Sequence, residues 1–197
     1  MLSQGDKAPD FELESDAGAR VRLSKLRKKR VLVYFYPKDS TPGCTVEAKD
    51  FSRQKAAFDA LGVTVLGVSR DSVKSHGSFR DKQGLTITLL SDPDLKAHLA
   101  FGAWGEKKRV GKKKMGAIRS TFLIAEDGRI AHAWPTVKVT GHVEEVLSVA
   151  RGEGVLSSKA ASSPGKPTAP KAVAAKKPAA KKPAAKKPAA KKPAAKK

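Results

Sequence analysis

The chain has 197 residues, with 40 Lys or Arg against 19 Asp or Glu, a net charge of +21, and a single cysteine. One cysteine excludes an internal disulfide and a cysteine-based zinc site, and no apolar run approaches the roughly 20 residues that cross a bilayer. The charge is uneven: residues 157–197 hold thirteen lysines and no acidic residue, which leaves +8 (21 less 13) on residues 1–156. That N-terminal stretch is long enough to bury one core. The C-terminal one has no aromatic residue, only Ala and Val173 as apolar side chains, and too little surface to bury against the entropy of ordering.

The N-terminus MLSQGDKAPDFELES is polar and acidic, without the apolar run of a secretion signal, so a soluble, cytoplasmic protein is expected. Phe11–Glu14 and Val21–Leu23 read as short strands joined by a hairpin at Asp16-Ala17-Gly18. Val31–Tyr36 is an unbroken β-branched and aromatic run, suited to a strand buried on both faces. Pro37 stops it, Lys38–Gly43 reads as loop, and Thr45–Leu61 as one helix with Val46, Phe51, Ala56, Phe58 and Leu61 as its apolar stripe and Gly62 as its stop.

Val63–Val68 is the next strand, and Ser72–Lys82 a polar helix. Thr86–Leu90 is a third strand, and Ser91-Asp92-Pro93 opens a short helix to Phe101. Trp104–Met115, with six basic residues among twelve and punctuated by Gly105 and Gly111, reads as a surface loop carrying a positive patch. Ser120–Ala125 and Arg129–Trp134 flank Glu126-Asp127-Gly128, a hairpin turn, and Val143–Ala150 is a closing helix. Strand–helix alternation in the middle and hairpins at both ends predict an α/β fold, a mixed sheet flanked by helices. His76, His98, His132 and His142 show neither HxH nor HxxxH spacing, so no metal is expected and they read as ordinary, partly exposed histidines.

Cys44 stands at the junction of a buried strand and the following helix. A free cysteine is most often a small buried hydrophobe. Here the first helical turn offers unpaired N–H groups and a positive dipole end, which stabilise a thiolate. Pro42-Gly43 lets the backbone approach a small oxygen ligand, and Thr41 offers a hydroxyl to both sulfur and substrate. The pattern predicts a reactive cysteine.

Pro37, Thr41 and Cys44 form P-x-x-x-T-x-x-C, and with FYPKDSTPGCTVEAKDF, GDKAPDF, FGAWGEK and IRSTFLI the chain resembles the peroxiredoxins over about residues 1–152. Within them it is most similar to the bacterioferritin comigratory protein (Q-type) subfamily. The resemblance implies a thioredoxin-like fold, no cofactor, and a peroxide substrate. It makes Cys44 the peroxidatic cysteine, Thr41 the hydroxyl that orients the peroxide, Pro37 the shield of the sulfur, and Arg119 the guanidinium beside sulfur and substrate oxygen. Glu47 and Gly43 are supporting residues, Glu47 helping to hold the network.

Many Q-type members carry a resolving cysteine five residues after the first. Here that position is Lys49, expected to be solvated, so the chemistry implied is one-cysteine chemistry in a monomer. Its reductant must be external: thioredoxin, glutaredoxin or a low-molecular-weight thiol. Overoxidation is the attendant hazard. A thioredoxin-like disulfide oxidoreductase is disfavoured, because there is no CxxC.

Residues 153–173 read as a flexible linker. Residues 174–197 repeat AAKKP, and proline at every fifth position prevents a long helix, leaving a disordered, extended basic tail. Its paired lysines, Lys176, Lys177, Lys181, Lys182, Lys186, Lys187, Lys191, Lys192, Lys196 and Lys197, suit phosphates and cannot read bases. The tail resembles the C-terminal arms of linker histones, and sequence-nonspecific association with DNA or another polyanion is expected, placing the protein at the nucleoid. The alternative reading is a nucleoid-associated DNA-binding protein whose peroxiredoxin domain is a redox sensor or a relic.

Overall fold

The computed structural model describes residues 1–26, 28–109 and 112–153. The ten paired lysines of the tail and all but the first residue of the linker lie outside them. The fold is organised by strand β3, Arg30–Phe35, at whose end Tyr36 is also buried. Leu32, Tyr34 and Tyr36 enter the core on one face of the sheet, and Val31, Val33 and Phe35 enter a second core on the other. Strand alternation alone produces this division, since successive side chains point to opposite faces.

Seven strands form one mixed sheet in the order β2-β1-β5-β4-β3-β8-β9. β4 (Val63–Ser69) runs parallel to β3, and β5 (Thr88–Ser91) parallel to β4. β8 (Ser120–Ile124) and β9 (Ile130–Trp134) add an antiparallel hairpin beyond β3, while β1 (Glu12–Ser15) and β2 (Arg20–Arg22) add one beyond β5. Helices α1 (Pro42–Arg53), α2 (Lys55–Ala60), α3 (Val73–Gln83) and α5 (His142–Ala150) supply Phe51, Phe58, Phe79 and Val146 to the first core. The short α4 (Lys96–Ala100) supplies Ala97 to the second. This is the mixed α/β architecture that the sequence predicts.

Three expectations need correction. The single helix of Thr45–Leu61 is two helices, and the first begins three residues earlier, at Pro42, with Thr41 as its N-cap. Gln54 separates them with ψ near 3°, a break that no glycine or proline announces. The expected loop of Trp104–Met115 is instead an antiparallel ribbon of β6 (Trp104–Arg109) and β7 (Lys112–Ala117). Backbone pairing needs no apolar face, and Trp104 opposite Ala117 with an ion pair from Lys113 to Glu106 at 3.1 Å accompanies the register. Three of the four histidines, His76, His98 and His142, are buried rather than partly exposed, each with a polar side-chain partner.

Gly67 shows how tightly the first core is closed. It pairs with Tyr34 across β3 and β4, and a Cβ there would lie 2.6 Å from the Tyr34 ring carbon Cζ and 2.9 Å from Leu89 Cδ2. Tyr34 cannot yield, because its ring stacks on Phe51 at 4.6 Å and on Tyr36 at 5.5 Å. Gly67→Ala is expected to lower stability by about 3 kcal/mol, at the upper end of overpacking costs, read as a fall in the urea midpoint; an unchanged midpoint would contradict this packing.

Candidate active site

The loop that carries the chain from β3 into α1 is anchored from beneath. Tyr36 donates its phenol O–H to Asp39 Oδ1 at 2.7 Å, and Ser75 donates to Asp39 Oδ2 at 2.7 Å. His76 Nδ1 lies 2.9 Å from the same carboxylate, and its Nε2 lies 3.2 Å from the Leu90 carbonyl. The Asp39 N–H in turn donates to Asp71 Oδ2 at 2.8 Å. Burial alone would raise the Asp39 pKa, but the hydrogen bonds from His76, Ser75 and Tyr36 outweigh it and hold the carboxyl below its ordinary value. Four residues from three segments thus grip one aspartate.

Beyond it, Ser40 takes the left-handed conformation, φ 58°, and the chain turns into the helix. Thr41 is extended, and its hydroxyl donates back to the Lys38 carbonyl at 3.0 Å. Pro42 occupies the first helical position, where a missing N–H costs nothing. The first intrahelical bond runs from the Thr45 N–H to the Thr41 carbonyl at 2.9 Å. The N–H groups of Gly43 and Cys44 precede it and remain at the positive end of the helix.

Cys44 is buried, 2% exposed. Arg119 reaches it from the connection between β7 and β8: Nη2 donates to Cys44 Sγ at 3.1 Å, and Nη1 donates to Glu47 Oε2. The arginine backbone is fixed from both sides, by Ile118 N–H to the Ala103 carbonyl at 2.7 Å and Val137 N–H to the Arg119 carbonyl at 3.0 Å. Its side chain is 16% exposed and that of Glu47 fully buried. Three residues apart on α1, Cys44 and Glu47 face the same way and meet one guanidinium. This places a fixed positive charge on the sulfur, where it stabilises negative charge held there or leaving from it.

Burial pushes the Glu47 pKa up to about 7, and the opposing charge of Arg119 offsets only part of that rise. Arg119 is itself raised: burial acts downward, but the charges of Glu47 and Cys44 and their hydrogen bonds prevail. Glu47 Oε1 and the Tyr34 hydroxyl, both buried nearby, have no hydrogen-bond partner. Beneath the site, Thr121 Oγ1 and His142 Nε2 share a hydrogen bond of 2.8 Å, and burial drives the His142 pKa down to about 4.

Of the residues singled out in the sequence, Cys44, Arg119 and Glu47 come together directly. Gly43 lies against them: a Cβ there would stand 3.6 Å from Arg119 Nη2, an ordinary contact. Pro37 is exposed at the rim of a neighbouring cleft. The Thr41 hydroxyl is engaged with its own loop, with lone pairs left to accept. Lys49 is exposed. Asp39, His76 and His142 were not anticipated; the Asp39–His76 pairing spans 37 residues and leaves no local signal in the sequence. Among the described residues, no group of three His, Cys, Asp or Glu could hold a metal ion, and no helix is long and apolar enough to cross a membrane.

Residues 4–133 match the AhpC/TSA family. A bcp-named peroxiredoxin of Coxiella burnetii is 50% identical over 146 residues, which span 74% of this chain and 97% of that one. Peroxiredoxin Bcp of Bacillus subtilis is 48% identical over 143 residues, 73% and 91% of the two chains. Among solved structures, the Xanthomonas campestris bacterioferritin comigratory protein, described for its alkyl peroxide reduction activity, is similar with a TM-score of 0.69 and 43% identity, covering 73% of this chain and 91% of that one. The chain therefore belongs to the AhpC/TSA family of peroxiredoxins, which are thiol-dependent peroxidases. Its relatives within that family are of the Bcp, or PrxQ, type.

Glu47 and His142 pull stability in opposite directions as pH changes. Folded Glu47 keeps its proton to about pH 7 and the unfolded chain releases it near 4.5, so its contribution falls as pH rises through that window. Folded His142 stays neutral down to about pH 4 and the unfolded chain binds a proton near 6.5, so its contribution rises with pH. The two nearly cancel in the native chain. Glu47→Gln removes one, and its unfolding free energy is expected to climb by about 2 kcal/mol between pH 4 and 6.5 relative to the native profile. Urea titrations at stepped pH read this directly, and parallel profiles for the two proteins would contradict it.

Proposed function

We propose that this chain reduces hydrogen peroxide and organic hydroperoxides through Cys44 in a one-cysteine cycle. The observation that carries the reading is the Arg119 guanidinium 3.1 Å from Cys44 Sγ at the first turn of α1. The thiolate attacks one peroxide oxygen, the O–O bond breaks, and its electron pair leaves on the second oxygen, which takes up a proton as water or alcohol. Cys44 is left as a sulfenic acid. Arg119 stabilises charge on sulfur and on the departing oxygen, the N–H groups of Gly43 and Cys44 and the Thr41 hydroxyl orient the peroxide, and Pro37 limits access. Glu47 is a positioning residue that holds Arg119.

No second cysteine exists to form an internal disulfide. An external thiol, from a small molecule, glutaredoxin or thioredoxin, restores Cys44. The C-terminal lysines hold this monomer on DNA in the cytoplasm, at the nucleoid, supported by thirteen lysines without a single acidic residue. That tail is what favours the second reading, in which nucleic-acid binding is the main activity and the domain reports oxidation.

In rapid mixing, the reduced chain is expected to consume one equivalent of peroxide in a fast burst. Cys44→Ser abolishes it, and Arg119→Gln slows it by about 10²- to 10³-fold, as for the loss of an oxyanion donor. A full burst in Cys44→Ser refutes the peroxidase reading. For the tail, DNA affinity of the whole chain should fall with salt at a log–log slope on the order of −10, and a chain ending at residue 156 should lose nearly all of it. Equal binding by the two proteins refutes the tether.

A further inference from the structure

Beside the candidate active site lies a cleft of about 720 Å³ between the β3–α1 loop, the loop after β4 and the β6–β7 ribbon. That volume is within the range of roughly 300–1,000 Å³ typical of small-molecule sites. Its walls bring together Lys38, Arg70, Lys107 and Lys114, with Pro37 and Trp104 between them. The Arg70 guanidinium carbon stands 5.1 Å from the centroid of the Trp104 ring, which fixes both groups. The one carboxylate in the lining, Asp71, already accepts from Ser69 Oγ and the Asp39 N–H, both at 2.8 Å. Four cationic side chains therefore line the space against a single carboxylate, Asp71, whose Oδ2 accepts both of those hydrogen bonds.

The cleft is tied to the sulfur at both ends. Pro37 and Lys38 belong to the loop that leads to Cys44. On the other wall, Gly116 and Ala117 lead into Ile118 and Arg119. Lys107 sits close enough to feel the charges of both reacting groups: burial and then Arg119 act to lower its pKa, while Cys44 acts to raise it.

The mechanism has an unmet need at this place. Cys44 as sulfenic acid requires an external thiol, and at 2% exposure its sulfur is better reached by a small molecule than by a protein surface. We infer that the cleft binds the reductant, a low-molecular-weight thiol of tripeptide size whose carboxylates pair with Lys38, Arg70, Lys107 and Lys114. This inference rests on the peroxidase reading. The bound thiol, as thiolate, attacks the sulfenic sulfur: an S–S bond forms, the S–O bond breaks, and hydroxide leaves as water after taking up a proton. A second thiol then attacks the mixed disulfide, releasing Cys44 as thiol and the reductant as its symmetric disulfide. Overall, one peroxide and two thiols give one alcohol or water, one water and one disulfide.

The test uses the full chain and separates the two steps. One equivalent of peroxide first makes the sulfenic acid, and its reduction is then followed by stopped flow with three thiols: γ-glutamyl-cysteinyl-glycine, its dimethyl ester, and 2-mercaptoethanol. The native chain is expected to react at least tenfold faster with the free acid than with the ester, at equal thiolate concentration. The triple variant Arg70→Gln, Lys107→Gln, Lys114→Gln should lose that preference, with little change in the ratio of ester to 2-mercaptoethanol. Lys74→Gln with Lys82→Gln, exposed on α3 and matched in kind, should retain it.

Equal rates for acid and ester in the native chain overturn the inference, as does a triple variant that keeps the preference. An equal loss in the α3 variant also overturns it, because diffuse charge would then be the cause. A preference for anionic hydroperoxides in the first step, with none in the second, overturns it by assigning the cleft to the peroxide. A chain that forms no sulfenic acid at all overturns the peroxidase reading and this inference with it.

Discussion

A guanidinium buried to 16% exposure cannot stand alone in a protein interior, and Arg119 does not. It donates to both Glu47 and Cys44, so three groups on two distant segments form one hydrogen-bonded unit. Removing one member of such a buried pair leaves the other charge uncompensated. This requirement disciplines the surrounding fold. Helix α1 must begin at Pro42, so that Cys44 and Glu47 share a face, and β8 must lie beside β3, so that a residue 75 positions downstream reaches the helix start.

The loop between β3 and α1 answers to a second constraint. A turn with a left-handed serine would be free to move unless its polar groups were held, and Asp39 holds them through Tyr36, Ser75, His76 and Asp71. Those partners come from β3, α3 and the loop after β4, elements whose apolar sides build the first core. The position of the sulfur is therefore coupled to core packing as well as to its immediate neighbours. Gly67, with no room for a methyl group, belongs to the same chain of contacts through Tyr34 and Phe51.

Having only one cysteine changes what the rest of the molecule must do. Lys49 is exposed and the sequence holds no second cysteine, so the second half of the redox cycle has to arrive from outside. Positive charge is concentrated in two places that a visiting anion would meet, the β6–β7 ribbon with its adjoining cleft and the C-terminal repeat. The first borders the sulfur on a scale of one small molecule. The second is a polyelectrolyte, whose affinity for phosphate grows with the number of contacts and weakens with salt.

Much of this was legible in the sequence because the signals are local. The run Val31–Tyr36 could only be a strand buried on both faces, and Thr41-Pro42-Gly43-Cys44 placed the sulfur at a helix start; the charge segregation separated a foldable stretch from a basic one. The ribbon of β6 and β7 was misread as loop because backbone pairing between polar residues has no hydrophobic period, and the break at Gln54 carries no glycine or proline. The ion pair of Arg119 with Glu47, the histidine beneath Asp39 and the buried His142 join residues that no spacing relates. The sequence by itself determined the strands of the seven-stranded sheet, the place of the cysteine at a helix start and the distribution of charge, since each depends on near neighbours. Tertiary structure alone decided how strongly Glu47 is bound into the site and where the cationic cleft opens, since burial and the meeting of distant side chains exist only once the sheet has closed.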